Sequence, residues 1–345
     1  MRSHKTIRVS NTGQGPRVSS QRPGKVPAVN HLPAAGRPKR DWAAYQRELV
    51  ARGEHDGAML AAVFELDFFR APDGRGRPAV PAAVIESVVL LMAAADLPSR
   101  RAEGLVRGLL KHVGADPDLA PDHSTICRRR REIGLPAAPR ELPEQVVLAI
   151  DATGFARTYG TGWLVDKPGG KADSRRAKYV KLHVGIDVAT GQVLVAEVTA
   201  ADGDGSGDVS CGPSLITFAA QVCGAAGSVL TGVVADGAYD ADPCYRACES
   251  VDATLVANLK AKTGYGRHQL RDVAKAQAGR LGLAEWKRRT GYHLRSLVEA
   301  FFGAVKHALG EHLRAKTLAG ARAEIIAKLI VYNRWLAVGQ GVVAG

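Results

Sequence analysis

The hydrophobic rhythm of this chain changes once, near residue 144. Before that point apolar residues recur three and four apart, the spacing of amphipathic helices. WAAYQRELVARG predicts a helix capped by Asp41 and stopped at Gly53, with GAMLAAVFELDFF as a second helix. PDGRGRP (72–78) reads as a turn-rich linker. PAAVIESVVLLMAAA, opened by Pro81 and ended near Pro98, predicts a strongly apolar helix. SRRAEGLVRGLLKHVG predicts another, capped by Ser99. PDHSTICRRRREIG starts on an Asp/Ser cap and carries four arginines, Arg128 to Arg131. Two short helices, a turn and an Arg-loaded helix have the order of a helix-turn-helix. LPAAPRELP (135–143) reads as a linker.

Beyond Glu144 the apolar residues come in short unbroken runs, as strands buried on both faces require. VVLAID (146–151) and SVLTGVVAD (228–236) are such runs, each ending on a carboxylate. KYVKLHVGID (178–187) and QVLVAEVTA (192–200) flank ATG, the tight turn of a hairpin. GDVSCGPSLITFAAQVCG and DPCYRACES predict helices and DATLVANL a further strand. Residues 259–290 are basic and read as poorly ordered. YHLRSLVEAFFGAVK and LAGARAEIIAKLIVYNRWLAV close the chain as helices. The expected fold is α/β: a mixed sheet flanked by helices, preceded by a small all-α domain.

Charge alters this picture at the N-terminus. The 345 residues carry a net charge of +13, and residues 1–40 hold nine Lys or Arg and no Asp or Glu. Rich in Pro, Gly and Ser, that segment reads as a disordered basic arm with salt-sensitive affinity for a polyanion. The expected organisation is 1–40 as tail, 41–140 as a helical domain for DNA binding or dimerisation, and 141–345 as the catalytic domain. No apolar run reaches the ~18–20 residues of a membrane span, and the first residues carry no secretory pattern. Five cysteines without C-x-x-C spacing read as reduced thiols of a cytoplasmic protein. Cys244 and Cys248, four apart, lack a second pair to complete a zinc site.

The candidate chemistry rests on carboxylates. Two divalent ions ~3.5–4 Å apart need about three acidic ligands, held on rigid elements. Asp151 and Asp236 each follow a buried strand and precede a turn residue. Such acids emerge at the C-terminal edge of a sheet, where open α/β folds place their sites. The third acid is Glu299, in the pattern Y-x2-R-x3-E-x6-K formed by Tyr292, Arg295, Glu299 and Lys306. Steps of three, four and seven put these four on one helix face. Arg and Lys suit phosphate oxygens and Tyr can stack on a base. Asp187 sits in a hairpin turn and is left out; Asp240 and Asp242 read as helix caps. Arg128, Arg129 and Arg130 are candidate DNA contacts on the helix-turn-helix.

These residues resemble the DDE transposases of bacterial insertion sequences, in the insertion-sequence-5-like branch. The resemblance runs through I-D-A-T-G at 150–154, K-L-H-x-x-x-D at 181–187, A-D-G-A-Y-D at 235–240 and R-S-L-V-E at 295–299. The helical stretch Tyr45 to Arg131 is similar to that branch's N-terminal domain. The resemblance implies a ribonuclease-H-like catalytic fold, with Asp151, Asp236 and Glu299 holding two Mg²⁺ ions that Mn²⁺ can replace. It also implies that Tyr292, Arg295 and Lys306 contact double-stranded DNA at the transposon's terminal inverted repeats. Strand transfer to target DNA by a homodimer, in a nucleoid-associated bacterial protein, is the expected activity. A same-fold nuclease without strand transfer and a non-catalytic DNA-binding descendant are the alternatives. Only about 40 residues separate the last strand from Glu299, too few for a large inserted domain there.

Overall fold

The computed structural model describes residues 41–65, 79–135, 141–157, 179–201, 207–260, 264–266 and 268–339. The expected basic arm at 1–40, the linker at 72–78 and part of the linker at 135–143 lie outside them. Among the described residues, a six-stranded mixed sheet organises the C-terminal part. Its strands are β1 (Gln145–Arg157), β2 (Tyr179–Asp187), β3 (Val193–Ala200), β4 (Val229–Ala235), β5 (Thr254–Ala257) and the short β6 (His312–Leu313). The order is β3-β2-β1-β4-β5. β2 runs antiparallel to both β1 and β3, β4 and β5 run parallel to β1, and β6 pairs with the far end of β1. This is the expected ribonuclease-H-like arrangement.

Ten helices surround the sheet among the described residues: α1 (Trp42–Glu65), α2 (Ala82–Ala94), α3 (Ser99–His112), α4 (His123–Arg129), α5 (Asp208–Ala225), α6 (Asp242–Ser250), α7 (Gln269–Leu281), α8 (Leu283–Thr290), α9 (Ser296–Leu309) and α10 (Leu318–Gly339). Successive side chains of a strand face opposite ways, so each strand feeds two cores. Leu148 and Ile150 pack with α5 and α6 on one face. Ala149 and Phe155 face the other way, into a core shared with α9, α10, α2, α3 and α4. Burial on both faces is why the strands read as unbroken apolar runs. At Gly185 two strands approach so closely that an added Cβ would lie 2.8 Å from Val195 Cγ2 and 3.0 Å from Leu148 Cδ1.

The structure corrects several local expectations. Residues 42–65 form one helix rather than two. Gly53 costs about 1 kcal/mol in a helix, and the Glu48–Arg52 ion pair, with Arg52 stacked 5.6 Å over Trp335 of α10, holds the helix through that point. Ser99 begins α3 without capping it, because Pro98 occupies the cap position. Asp122 caps α4 as expected, accepting hydrogen bonds from the N–H groups of Ser124 at 3.0 Å and Thr125 at 2.9 Å. Strand β1 does not end at Asp151. It continues six residues further because β2 stays paired to it as far as Ala156 opposite Tyr179.

Within the stretch 259–290, expected to be poorly ordered, the described residues include two helices, α7 and α8. The anchor is Arg271, whose Nε and Nη2 donate to Asp240 at 2.7 and 2.8 Å in a buried fork. Asp240 is thus a buried partner, not a helix cap; the Tyr245 hydroxyl and the N–H of Lys260 satisfy its remaining lone pairs. Asp242 opens α6 and pairs with Arg246 one turn on, at 2.6 Å. Asp187 closes the β2–β3 turn, accepting from the N–H and hydroxyl of Thr190 at 2.8 and 2.7 Å. Cys244 and Cys248 are buried in the core beneath α6. Among the described residues no single helix is long and apolar enough to cross a membrane.

Candidate active site

The parallel register of β1 and β4 builds the site. Ile150 lies opposite Ala235, so the next residues, Asp151 and Asp236, leave that register side by side. Asp151 sits inside the long β1; Asp236 follows the last residue of β4 and turns the chain. Its Oδ1 accepts the Ala238 N–H at 2.7 Å, starting a short 3₁₀ turn over Gly237–Tyr239. The turn is tight: a Cβ on Gly237 would meet the Asn258 carbonyl oxygen at 3.1 Å.

Helix α9 supplies the third acid. Val298, Phe301, Phe302, Val305 and Leu309 bury one of its faces. Glu299 is left exposed, 54% by side chain. The four-residue pattern does not lie on one helix: Tyr292–Arg295 form a 3₁₀ turn and α9 begins at Ser296. Three residues per turn still align Tyr292 with Arg295, so the shared face survives the change of pitch. Tyr292 is half-buried under the ammonium of Lys287, 4.7 Å from the ring centre. Burial raises its phenol pKa, against the pull of Arg295.

Arg295 links the acids. Its Nη1 donates to Asp151 Oδ2 at 3.2 Å and its Nη2 to Glu299 Oε1 at 2.6 Å. The remaining oxygen of Asp151 accepts the Ala152 N–H at 2.8 Å. Burial raises the Asp151 pKa above the ordinary carboxylate range. Asp236 and Glu299 push it the same way, opposed by the Ala152 N–H and Arg295. Lys306 donates from Nζ to Thr153 Oγ1 at 2.8 Å and lies 5.4 Å over the Phe155 ring. Asp151, Thr153 and Phe155 are alternate residues of one strand, so they share the face that α9 covers. Thr153 and Phe155 were not singled out from sequence, although period-two spacing from Asp151 marks both.

The chain as a whole also matches known proteins. A family model described as a transposase DDE domain covers residues 142–334, more than half of the chain. The chain belongs to the DDE transposase family. A second model with the same description covers residues 59–160. No curated protein matches the chain. Among solved structures, one described as "Mos1 transposase paired-end complex with left transposon end" is similar at 13% identity and a TM-score of 0.26, over 79% of this chain and 82% of that one.

DDE transposases act on DNA with divalent metal ions, and the donor set here fits one. Carboxylate oxygens are the ligands that hard cations take. Asp151 is half-buried and repelled by two neighbouring carboxylates, which Arg295 offsets only in part. Among the described residues, no three Asp, Glu, His or Cys side chains are drawn in around one point. The Arg295 guanidinium stands between Asp151 and Glu299, as a cation would.

The candidate arginines of this transposase fall into two groups. Arg128 is exposed at the end of α4. Arg129 turns inward, donating to the Val80 carbonyl and lying 3.5 Å from Glu132. Arg130 also points inward, its Nη2 close to Gly320. Helix α4 itself is only seven residues long.

Proposed function

We propose that this transposase binds the ends of its element, frees their 3′-OH groups by hydrolysis and joins them to target DNA, with Asp151, Asp236 and Glu299 as the catalytic acids. The observation that supports the reading most is the β1–β4 register, which sets Asp151 beside Asp236, with Glu299 tied to Asp151 through Arg295. The three acids would hold two Mg²⁺ ions, with Mn²⁺ able to substitute. When bound, such ions activate the attacking oxygen and stabilise the leaving one.

The chain's own residues orient the DNA. Arg295 turns from the carboxylates to a phosphate oxygen beside the scissile bond, where a guanidinium makes paired charge-assisted hydrogen bonds. Lys306, steadied by Thr153, holds a neighbouring phosphate, and Tyr292 stacks on a base. In the first step a water oxygen bonds to phosphorus and the P–O3′ bond breaks, leaving a 3′-OH and a 5′-phosphate. In the second, that 3′ oxygen bonds to a target phosphorus and the target's 3′ oxygen leaves. Neither step needs a covalent bond to the protein, so no Ser or Tyr nucleophile is required.

Two copies of the chain would hold the two element ends together. The helices of 41–135 would serve end binding or dimerisation, with Arg128 as the exposed cation of α4. The test is Asp236→Asn, assayed on the flanking DNA with Mg²⁺. End cleavage is lost while end binding persists; retained cleavage would refute the assignment. Cleaved ends that never join target DNA would identify a nuclease instead.

A further inference from the structure

Away from the carboxylates, the end of α2, the loop to α3, helix α4 and the first half of α10 enclose a cavity of about 370 Å³. Four basic side chains, Arg130, Arg314, Lys316 and Lys328, reach its wall, against two acids, Asp96 and Glu324. Both acids are already engaged. Asp96 Oδ2 takes Arg314 Nη2 at 2.6 Å, and Glu324 accepts the N–H groups of Arg314 at 3.0 Å and Ala315 at 3.1 Å. Lys328 is 3% exposed, and its ammonium donates to the carbonyls of Gly310 at 2.7 Å and His312 at 3.3 Å. Those acceptors are neutral; burial lowers the Lys328 pKa, and the nearby Glu324 and Asp96 carboxylates only partly offset it.

Arg130 carries the observation furthest. Among the described residues no carboxylate lies within ion-pair distance of its guanidinium, and its Nε is buried without an acceptor. Buried polar atoms are normally paired, and this guanidinium is half-buried rather than fully solvated. The rest of the wall includes the apolar side chains of Val89, Met92, Leu97 and Ala327. The rim is wet: Asp96 and Arg314 are 68% and 45% exposed. A cavity lined by an excess of basic side chains together with apolar ones suits an anion with an apolar or flat body, and its size is that of a small-ligand pocket.

We propose that this cavity binds a nucleotide, its phosphate on Arg130 and its body against the apolar wall. The choice of a nucleoside over other bodies rests on the transposase reading; the anion site does not. The phosphate can come from a free nucleotide or from the 5′-phosphorylated end of a DNA strand.

Calorimetric titration of the full chain tests this with dAMP, inorganic phosphate, deoxyadenosine, and a dinucleotide with or without a 5′-phosphate. The wild type binds dAMP more tightly than phosphate and does not bind deoxyadenosine. Arg130→Gln weakens dAMP binding by about tenfold or more, the loss of one charge-assisted hydrogen bond. Arg130→Lys keeps the charge and most of the affinity, which separates loss of the anion contact from misfolding. Lys306→Gln, on the catalytic face, leaves dAMP binding unchanged. A dinucleotide that binds only with its 5′-phosphate, and more tightly than dAMP, identifies a DNA end as the source. Failure of dAMP to bind, or equal binding by wild type and Arg130→Gln, overturns the site. Phosphate binding as well as dAMP overturns the nucleotide, and loss in Lys306→Gln overturns the location. None of these outcomes depends on end cleavage, so failure of the catalytic assignment remains a separate result.

Discussion

Replacing Arg295 with Gln should make the protein without DNA bind divalent cations more tightly. The guanidinium occupies the space between Asp151 and Glu299, with contacts of 3.2 and 2.6 Å. A cation entering that space has to break both contacts or bear the repulsion of the guanidinium. The contact with the half-buried Asp151 is a charge-assisted hydrogen bond, and discounting it for partial exposure leaves about 1–2 kcal/mol. The contact with the exposed Glu299 is an i,i+4 pair of the kind worth roughly 0.3–0.5 kcal/mol. Together they amount to about 1.3–2.5 kcal/mol, or roughly a nine- to seventyfold change in dissociation constant. Titration with Mn²⁺, following the free ion by electron paramagnetic resonance, reads this without any catalysis. Asp151→Asn is the control and should bind the ion weakly. The same Arg295→Gln protein should cleave element ends poorly, having lost a phosphate contact. If Arg295→Gln binds Mn²⁺ no better than the wild type, the guanidinium is not standing in for a cation.

Further outcomes follow from other contacts. Arg271→Met leaves the buried Asp240 carboxylate without its fork and should cost about 3–5 kcal/mol in urea unfolding; a change below 1 kcal/mol would show that the fork does not anchor α7. Although burial raises it, Arg271 and the Lys260 N–H leave the Asp240 pKa below its ordinary value. A depressed folded-state pKa contributes stability that is present above the unfolded value and lost as pH falls through the folded one. Acid melting curves should therefore show a loss below about pH 4 that shrinks in Asp240→Asn. Gly185→Ala drives a methyl into Val195 and Leu148 and should destabilise by about 1–3 kcal/mol, measured by thermal unfolding against wild type. Lys306→Gln should lower the slope of log affinity against log salt for end DNA by about one, and an unchanged slope would remove it from the phosphate contacts. Deleting residues 1–40, which hold nine basic residues, should flatten that slope further; a slope that stays put would make the arm a bystander.

Much of the sheet was legible because burial on both faces leaves a plain mark. Runs such as VVLAID and LTGVVA can only be central strands, and the ATG between two alternating runs fixes the hairpin. What the sequence hid were effects that depend on distant partners. Nothing local says that β1 continues past Asp151; its pairing with Lys181, Val180 and Tyr179 does. Nothing local says that α7 and α8 form in the basic stretch after residue 259, since their anchor is Asp240, 31 residues from Arg271. Gly53 was given its usual weight as a helix stop, and a tertiary contact to Trp335 outweighed it.

The site shows the same division more sharply. Spacing alone could place Tyr292, Arg295, Glu299 and Lys306 on one face, because that is a property of helical pitch. Strand-end patterning could pick Asp151 and Asp236, because a carboxylate after a buried run has to emerge somewhere. The contact that joins the two sets, Arg295 to Asp151, spans 144 residues and exists only once β1 and α9 are packed. That contact also changes what the motif means. From sequence, Arg295 reads as a phosphate ligand alone. In the folded chain it is first a counter-ion, without which Asp151 would face Asp236 and Glu299 with only the Ala152 N–H in compensation. On the proposed function, a residue that neutralises the acids before a cation arrives and is freed to grip DNA afterwards would couple loading of the site to binding of its substrate. Coupling of that kind is reciprocal, so end DNA should tighten divalent-ion binding in the wild type and much less in Arg295→Gln. Equal tightening by DNA in both proteins would break the link between the two roles.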